Sequence, residues 1–528
     1  MKRNAIILSL VLASQALWAQ NLNPEVHVTN EYQTRINDVS KKGVDMTIPD
    51  SLYRFDYHFD YSVFDSPYKG AYEFSPYSVT ITPDPRPYDG RKLYLRGGAG
   101  YTLKPQLDVV WAAVDRKKVS LNVFASGKGY YGRYKHINPG TFELSKKQFD
   151  KGWDFGTSAG VDARFNVGSM VIRTEAGYDG IYTGHEIYHR DNCHAPYISA
   201  RVGNGKGRYL SYSAGVKYRY VYDWLNGTTP VKENELSVEA TIAPQLSADY
   251  TVSSDVELNL NGFYKAAQIH PHAIFQLGPV DFDAGARLGW YTSHFTISPA
   301  ITATAHLFHD YLDVYAGAEG GNRNLTYWDY KSRAHRYHLN YVEPRPVREI
   351  ADLFAGFRGH ADFGLQYEAK GGYKFMKNAP FWAVNGAGTE TIMFQDCKLI
   401  HADILLAWAS ERFNLDGSVH YVHVPGGVAE RVFEPSAFNG TLKGGYNWKK
   451  RIYAGLSVDM ATSRKAKAGG KNVKVPGYVD VGLWGEYKYN KRLSFWLEGG
   501  NLLNHDVRLS PLYSECGPSI IVGACFTL

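Results

Sequence analysis

Cysteine is scarce: four residues in 528, at Cys193, Cys397, Cys516 and Cys525. Their wide separation matches neither metal-knuckle spacing nor a disulfide-stapled scaffold. Long apolar runs are also missing. After residue 20 no stretch approaches the roughly 18–20 residues that a membrane-spanning helix needs, and the mean hydropathy of −0.34 agrees. No Gly-x-Ser-x-Gly stretch has the strand–turn–helix setting of a nucleophile elbow, no phosphate-cradling glycine loop or paired-cysteine motif stands out, and no spacing brings nucleophile, base and orienting group together. Neither catalysis nor a cofactor is expected. The net charge of +6 is a mild excess, scattered through strand-like segments rather than gathered beside stacking aromatics, which argues against a nucleic-acid partner.

The chain opens MKRNAIILSLVLASQALWAQ. Lys2 and Arg3, the apolar run Ala5 to Ala13 and a cut after Ala19 read as a secretory signal peptide. Leu17 sits three before the cut, and no cysteine follows the run to accept a lipid anchor. Three parts are expected: the signal peptide 1–19, an N-terminal periplasmic or lumen-filling segment 20–91, and one large β-unit 92–528. The last is uniform in texture, drawing on the chain's 52 Gly, 40 Tyr and 11 Trp.

Within that unit apolar and polar residues alternate. In the stretch 477–504, Val479, Val481, Leu483 and Tyr487 take one parity and Asp480, Glu486 and Lys488 the other. Val119, Leu121, Val123 and Ala125 share a face, as do Ile452, Ala454, Leu456, Val458 and Met460. The last strand aligns Ile520, Val522, Ala524, Phe526 and Leu528. Period two means strands whose faces meet different media. Apolar faces about ten residues tall suit tilted strands crossing hydrocarbon. The soluble alternative, a sandwich or propeller, uses strands nearer five or six residues.

Connections alternate in length. Long ones fall at 134–152, 182–195, 223–235, 321–350, 376–397, 424–435, 462–476 and 505–516. Short ones fall near 115–117, 166–168, 204–207, 250–253, 277–279, 308–311, 359–361, 410–411, 448–450 and 490–491. Outer-membrane barrels have this asymmetry, and the tally is about 22 strands, within 18–22. The fold class is thus all-β, a transmembrane antiparallel β-barrel, with 265–279 and 351–358 as its weakest strands.

The closing stretch PGYVDVGLWGEYKYNKRLSFWLEGGNLLN, with Asn501, Leu502, Leu503 and Asn504 ending the penultimate strand, resembles the end of TonB-dependent receptor barrels. LRGGAGYTLKPQLDVVW and EPRPVREIADLFAGFRG resemble barrel segments of receptor-like proteins of the Bacteroidetes. The resemblance implies binding or uptake of a ligand at the cell surface, with outer-membrane lipid, lipopolysaccharide, TonB, other envelope proteins and surface lipoproteins as partners. It departs at the N-terminus, where 20–91 is too short for the family's full plug domain. Glu25, Val26, Val28 and Thr29 in PEVHVTNEY are similar to the box that pairs with TonB by strand addition, or form an ordinary extended leader. A barrel without its plug implies two alternatives: a scaffold subunit of an envelope complex, or a diffusion porin.

Candidate site residues are few. GHEIYHRDNCHAP gathers metal-ligand types, and His185, His189 and His194 are its candidate metal ligands; a solvated loop is the other reading. Tyr327, Trp328, Arg333 and Arg336 are candidate ligand-binding residues in the loop 321–350, which loop packing explains as well. His270 and His272, two apart in a strand, share a face and can converge. His420 and His423, three apart, cannot. Arg464, Lys465, Lys467, Lys471 and Lys474 form a basic tip able to meet acidic glycans or lipopolysaccharide phosphates.

Overall fold

The structure, a computed structural model, describes residues 92–528 apart from 187–189, 205–209, 226–229, 248–249, 293, 309–310, 335–338, 509 and 515–516. The expected signal peptide and the segment 20–91 lie outside the described residues. Twenty-two strands form one antiparallel sheet in which each strand pairs with its neighbour along the chain. The sheet closes because the first strand, Leu93–Tyr101, pairs with the last, Ser519–Thr527, from Tyr94 opposite Thr527 to Tyr101 opposite Ile520. A separate hairpin, Arg464–Ala468 with Lys471–Val475, stands in an outer loop. Among the described residues no helix is long and apolar enough to cross a membrane.

The alternation does what its period demands. Leu95, Tyr101, Ile520 and Val522 are exposed on the outside of the closing seam, as are Leu442, Leu456 and Leu483 along neighbouring strands. Left in water, such a belt of contiguous apolar surface would drive association. Against acyl chains it is the stable arrangement, and closure leaves no unpaired strand edge in the hydrocarbon. The barrel is therefore a transmembrane one.

Tight connections such as 117–118, 168–169, 278–279 and 449–451 gather at the end that also holds Lys92 and Leu528, where Lys92 N–H donates to the Leu528 carbonyl. The opposite, long-loop end is the outer one in barrels of this type.

Two expectations need correction. The stretches 265–279 and 351–358 hold full strands, Lys265–Leu277 with 13 residues and Val347–Ala361 with 15. Much of what reads as long loop at 134–152, 182–195, 223–235 and 376–397 is paired strand. Val119–Ile137 runs for 19 residues, Leu144–Val167 for 24, and Leu365–Val384 and Glu390–Ala409 for 20 each. About ten residues suffice to cross the bilayer, so these strands rise well beyond it. There both faces meet water or protein, the two-residue contrast fades from the sequence, and only the backbone ladder continues.

The glycine and aromatic content has a packing cause. A Cβ on Gly523 would meet the Gly97 carbonyl oxygen at 2.2 Å and Trp496 Cε2 at 2.4 Å, and one on Gly98 would meet Trp496 Cζ2 at 2.4 Å. The indole thus lies flat across bare backbone on the inner side of the seam. Arg96 stacks 4.2 Å from the Trp496 ring and pairs with Glu498 at 2.5 Å, tying the first strand to the twenty-first strand of the barrel, Leu493–Gly500. The Asn-Leu-Leu-Asn segment turns the chain after that strand. Asn501 and Asn504 hold φ of 50° and 54°, a left-handed region that asparagine tolerates better than most residues. The Asn501 amide closes the turn with bonds to the backbone of His505 at 2.8 Å.

The largest apolar core lies at the outer end. Tyr130, Tyr134, Phe142, Val221, Tyr327, Leu339, Phe433 and Tyr513 belong to one buried cluster drawn from strand tips and outer loops.

Candidate functional site

The site has two parts, a roof over the outer mouth and a polar wall below it. The roof begins with the loop 324–346, which carries the helix α1, Tyr327–Arg333. Thr326 caps the helix and forms a capping box with Asp329, whose carboxylate accepts from Thr326 N–H at 2.7 Å. That satisfies part of the first turn. Glu233, from the strand Val231–Pro244, accepts from the N–H groups of Tyr327 at 3.0 Å and Trp328 at 3.3 Å. Burial outweighs these two bonds and pushes the Glu233 carboxyl up to about 7.

One turn on, Lys331 is wholly buried. Its Nζ lies 3.0 Å from Asp223 and 3.6 Å from Asp191, on two other strands. The Tyr327 hydroxyl donates to the same Asp223 carboxylate at 2.6 Å. Two carboxylates overcome the desolvation that would strip a buried ammonium of its proton, and the lysine is held charged, its pKa above the ordinary value. Arg219 lies 4.9 Å from the Trp328 ring.

Other loops lock onto this one. Asn340 N–H donates to the Glu390 carbonyl at 2.9 Å, and the Glu390 carboxylate accepts from Ser510 Oγ at 2.8 Å and from Leu512 N–H at 2.5 Å. Arg508 Nη1 donates to the Phe142 carbonyl and Arg431 Nη2 to the Pro139 carbonyl, at 3.0 and 3.1 Å. Phe433 pairs with Ala466 of the outer hairpin and meets Phe142 edge-on at 4.8 Å. Loops from distant points of the circumference are thereby joined across the mouth.

Below the roof the lumen wall carries histidines between carboxylates on successive strands. Asp255 lies near His270 and His272, and His272 Nδ1 is 2.6 Å from Asp283. His306 bridges Asp281 at 2.9 Å and Asp313 at 2.6 Å, and Asp313 also pairs with Arg358. His401 lies 2.7 Å from Asp352 and 3.5 Å from Asp403, and His420 is 2.6 Å from Asp403. Lys374 sits between Glu349 and Asp352. The flanking residues Val256, Val314, Leu353 and Ile404 are exposed on the opposite face. Sequence reasoning missed this band except for His270 and His272. His401 and Asp352 are 49 residues apart in the chain, so no local spacing marks them.

The other candidates fall as follows. Tyr327 and Trp328 are buried in the roof's interior rather than on an open surface, and Arg333 is on the last turn of α1; Arg336 lies outside the described residues. His194 Nδ1 bonds the Tyr178 hydroxyl at 2.6 Å, whereas His185 packs edge-on against Tyr513 at 5.5 Å. In the strand register His194 faces Gly180, five residues from His185 on the same strand. That is about 17 Å of strand, so the two do not share an ion; His189 lies outside the described residues. His270 and His272 do converge, with stacked rings 4.4 Å apart. His420 and His423 do not: His420 faces Asp403, and His423 faces Ile400 on the other side of the sheet. The basic loop is an ordered hairpin rather than a loose tip, with Ala466 and Val475 buried and Lys465, Lys467 and Lys474 on its exposed face. Cys193, Cys397 and Cys525 are free thiols, and Cys516 lies outside the described residues.

By sequence no protein-family model and no curated protein matches the chain. By structure it is similar to the ferric enterobactin receptor PfeA from Pseudomonas aeruginosa, with a TM-score of 0.61 at 10% identity over 83% of this chain and 81% of that one. The FrpB iron transporter from Neisseria meningitidis gives 0.61 at 9% over 83% and 81%. The copper transporter OprC gives 0.60 at 12% over 83% and 80%. At such identities the likeness speaks for architecture alone, and the chain has the fold of outer-membrane receptor and transporter barrels.

Proposed function

We propose that this protein is an outer-membrane receptor of the TonB-dependent type, which binds a ligand at the cell surface and takes it up through the barrel. It is exported to a Gram-negative outer membrane with a signal peptide cut after Ala19, and it works without catalysis. The observation that carries the reading is the pairing of a closed 22-strand barrel with an interlocked roof. A lumen of this width conducts unless it is filled or covered, and here the outer mouth is bridged by loops bonded to one another. A roofed wide barrel suits selective capture better than free diffusion. The solved structures it resembles are a siderophore receptor, iron transporters and a copper transporter, which favours uptake over catalysis. Segment 20–91 serves as a lumen insert or as the contact for the energised partner.

The test joins two measurements. Purified full-length protein in planar bilayers should show no steady conductance, and any growth or uptake phenotype of its deletion should be reproduced by loss of TonB. A steady open pore makes it a porin instead. Stoichiometric recovery of other envelope proteins from native membranes, with no TonB-dependent phenotype, makes it a scaffold subunit.

A further inference from the structure

We propose that Asp255, His270 and His272 form a binding site for one divalent transition-metal ion of the zinc or copper class on the lumen wall. Among the described residues, this trio brings three ligand atoms within 4.8 Å of one another. Asp255 lies in the strand Tyr250–Leu260 directly opposite His270 of the strand Lys265–Leu277, and His272 follows two residues later on the same face. Asp255 Oδ2 is 3.4 Å from His270 Nδ1 and 3.6 Å from His272 Nε2. An ion with bonds of about 2.0–2.1 Å in a tetrahedral shell has ligand-to-ligand edges of about 3.3 Å. Both carboxylate-to-imidazole edges are within a few tenths of an ångström of that value.

The surrounding groups orient the ligands as a metal site requires. Asp283 accepts from His272 Nδ1 at 2.6 Å, which leaves the Nε2 lone pair directed at Asp255. The Thr241 hydroxyl donates to Asp255 Oδ1 at 2.7 Å and leaves Oδ2 for the ion. Such carboxylate–imidazole and hydroxyl–carboxylate contacts fix tautomer and ring angle in metal centres. The backbone contributes as well. Pro271 lacks an N–H, and the ladder to the strand Val280–Tyr291 skips from Ile269 opposite Leu288 to His272 opposite Gly285. At Gly285 a Cβ would stand 2.5 Å from the His272 Cβ, so only glycine lets that imidazole sit where it does.

Two imidazoles and one carboxylate suit a borderline ion and disfavour calcium or magnesium, which take oxygen ligands. Three protein ligands leave a fourth position. The carboxylate side chain is 39% exposed to the lumen and the imidazoles 14% and 10%, so that position faces the water-filled side and a second ligand can enter there. The other histidines of the wall lack this geometry: His306, for example, spends both ring nitrogens on carboxylates. The site belongs to the wall and stands apart from the receptor reading.

The experiment uses the full-length, tag-free chain in detergent, stripped with chelator and titrated with Zn2+ alone by calorimetry and with Cu2+ by electron paramagnetic resonance. One equivalent should bind, and the copper spectrum should carry hyperfine structure from two imidazole nitrogens. Asp255→Asn and His270→Gln should each weaken binding at least tenfold, and Asp283→Asn roughly tenfold through lost orientation. His306→Gln should leave binding unchanged. Folding of every variant is checked by the heat-dependent mobility shift of the barrel. The proposal is overturned if the folded wild type takes up no stoichiometric ion, or if the folded Asp255→Asn/His270→Gln double variant binds as tightly as wild type. It is also overturned if the copper spectrum shows no nitrogen coupling.

Discussion

Trp496 and the glycines beneath it show how a single side chain closes a sheet of this size. The ring fills the inner surface that Gly98 and Gly523 leave bare, and Arg96 covers its other side. Replacing Gly523 with valine sets a branched side chain against both the ring and the Gly97 carbonyl. Overpacking of this kind costs about 1–3 kcal/mol, and at a seam it is spent on closure. Gly523→Val should therefore lower the temperature at which the barrel loses its compact electrophoretic mobility, a shift read directly on unboiled and boiled samples. A residue-level reading of the sequence finds the abundance of Gly, Tyr and Trp and the outward parity of Ile520 and Val522. It cannot pair Trp496 with Gly98, because almost 400 positions separate them and only closure of the ring makes them neighbours.

Among the elements, α1 is the one whose role the sequence misassigns most instructively. Its aromatics and arginines resemble a binding surface, yet the helix is folded inward, with Tyr327 and Lys331 wholly buried. What decides this lies elsewhere in the chain: Glu233 receives the first N–H groups, and Asp191 and Asp223 await the ammonium. Lys331→Met removes the cation and leaves two carboxylates buried without it. Breaking a buried pair in this way costs about 3–5 kcal/mol. The expected outcome is rapid hydrogen exchange and proteolytic cleavage within the loop 324–346 while the barrel strands stay protected. Loss of protection throughout the barrel would instead show that α1 supports the whole wall.

Bridging of the outer mouth is a property of the whole molecule, and the buried Glu390 predicts that it depends on pH. This residue ties the loop 324–346 to the loop 501–518, and burial pushes its carboxyl up to about 7 despite the nearby Arg508 and Arg464. Below the ordinary carboxylate value the group is neutral whether the roof is formed or not, and the roof has its full stability. As pH rises through about 7 the formed state must ionise a buried group, and that contribution is lost. Exchange protection of the two loops should therefore be greater at pH 5 than at pH 8, with Glu390→Gln flattening the profile of the loop 501–518 and only reducing that of 324–346, where Glu233 is raised in the same way. Equal protection of the wild type at both values would show that ionisation of Glu390 does not govern the roof.

Alternation along strands such as 452–461 and 519–527 is a local consequence of a backbone with period two between lipid and water. For that reason the barrel, its approximate strand number and its lipid-facing side chains could be read from the chain alone. The convergence of His270 and His272 was legible for the same cause. Where strands pass beyond the bilayer the contrast between faces disappears, and 134–152 and 376–397 look like loop although they pair. The roof depends on contacts between loops and strand tips far apart in sequence, whereas the histidine and carboxylate band and the third ligand at Asp255 depend mostly on the register between consecutive strands. Neither can be read from the chain alone, because hydrogen-bond register between strands and the docking of loops, not spacing along the chain, set which polar groups face one another.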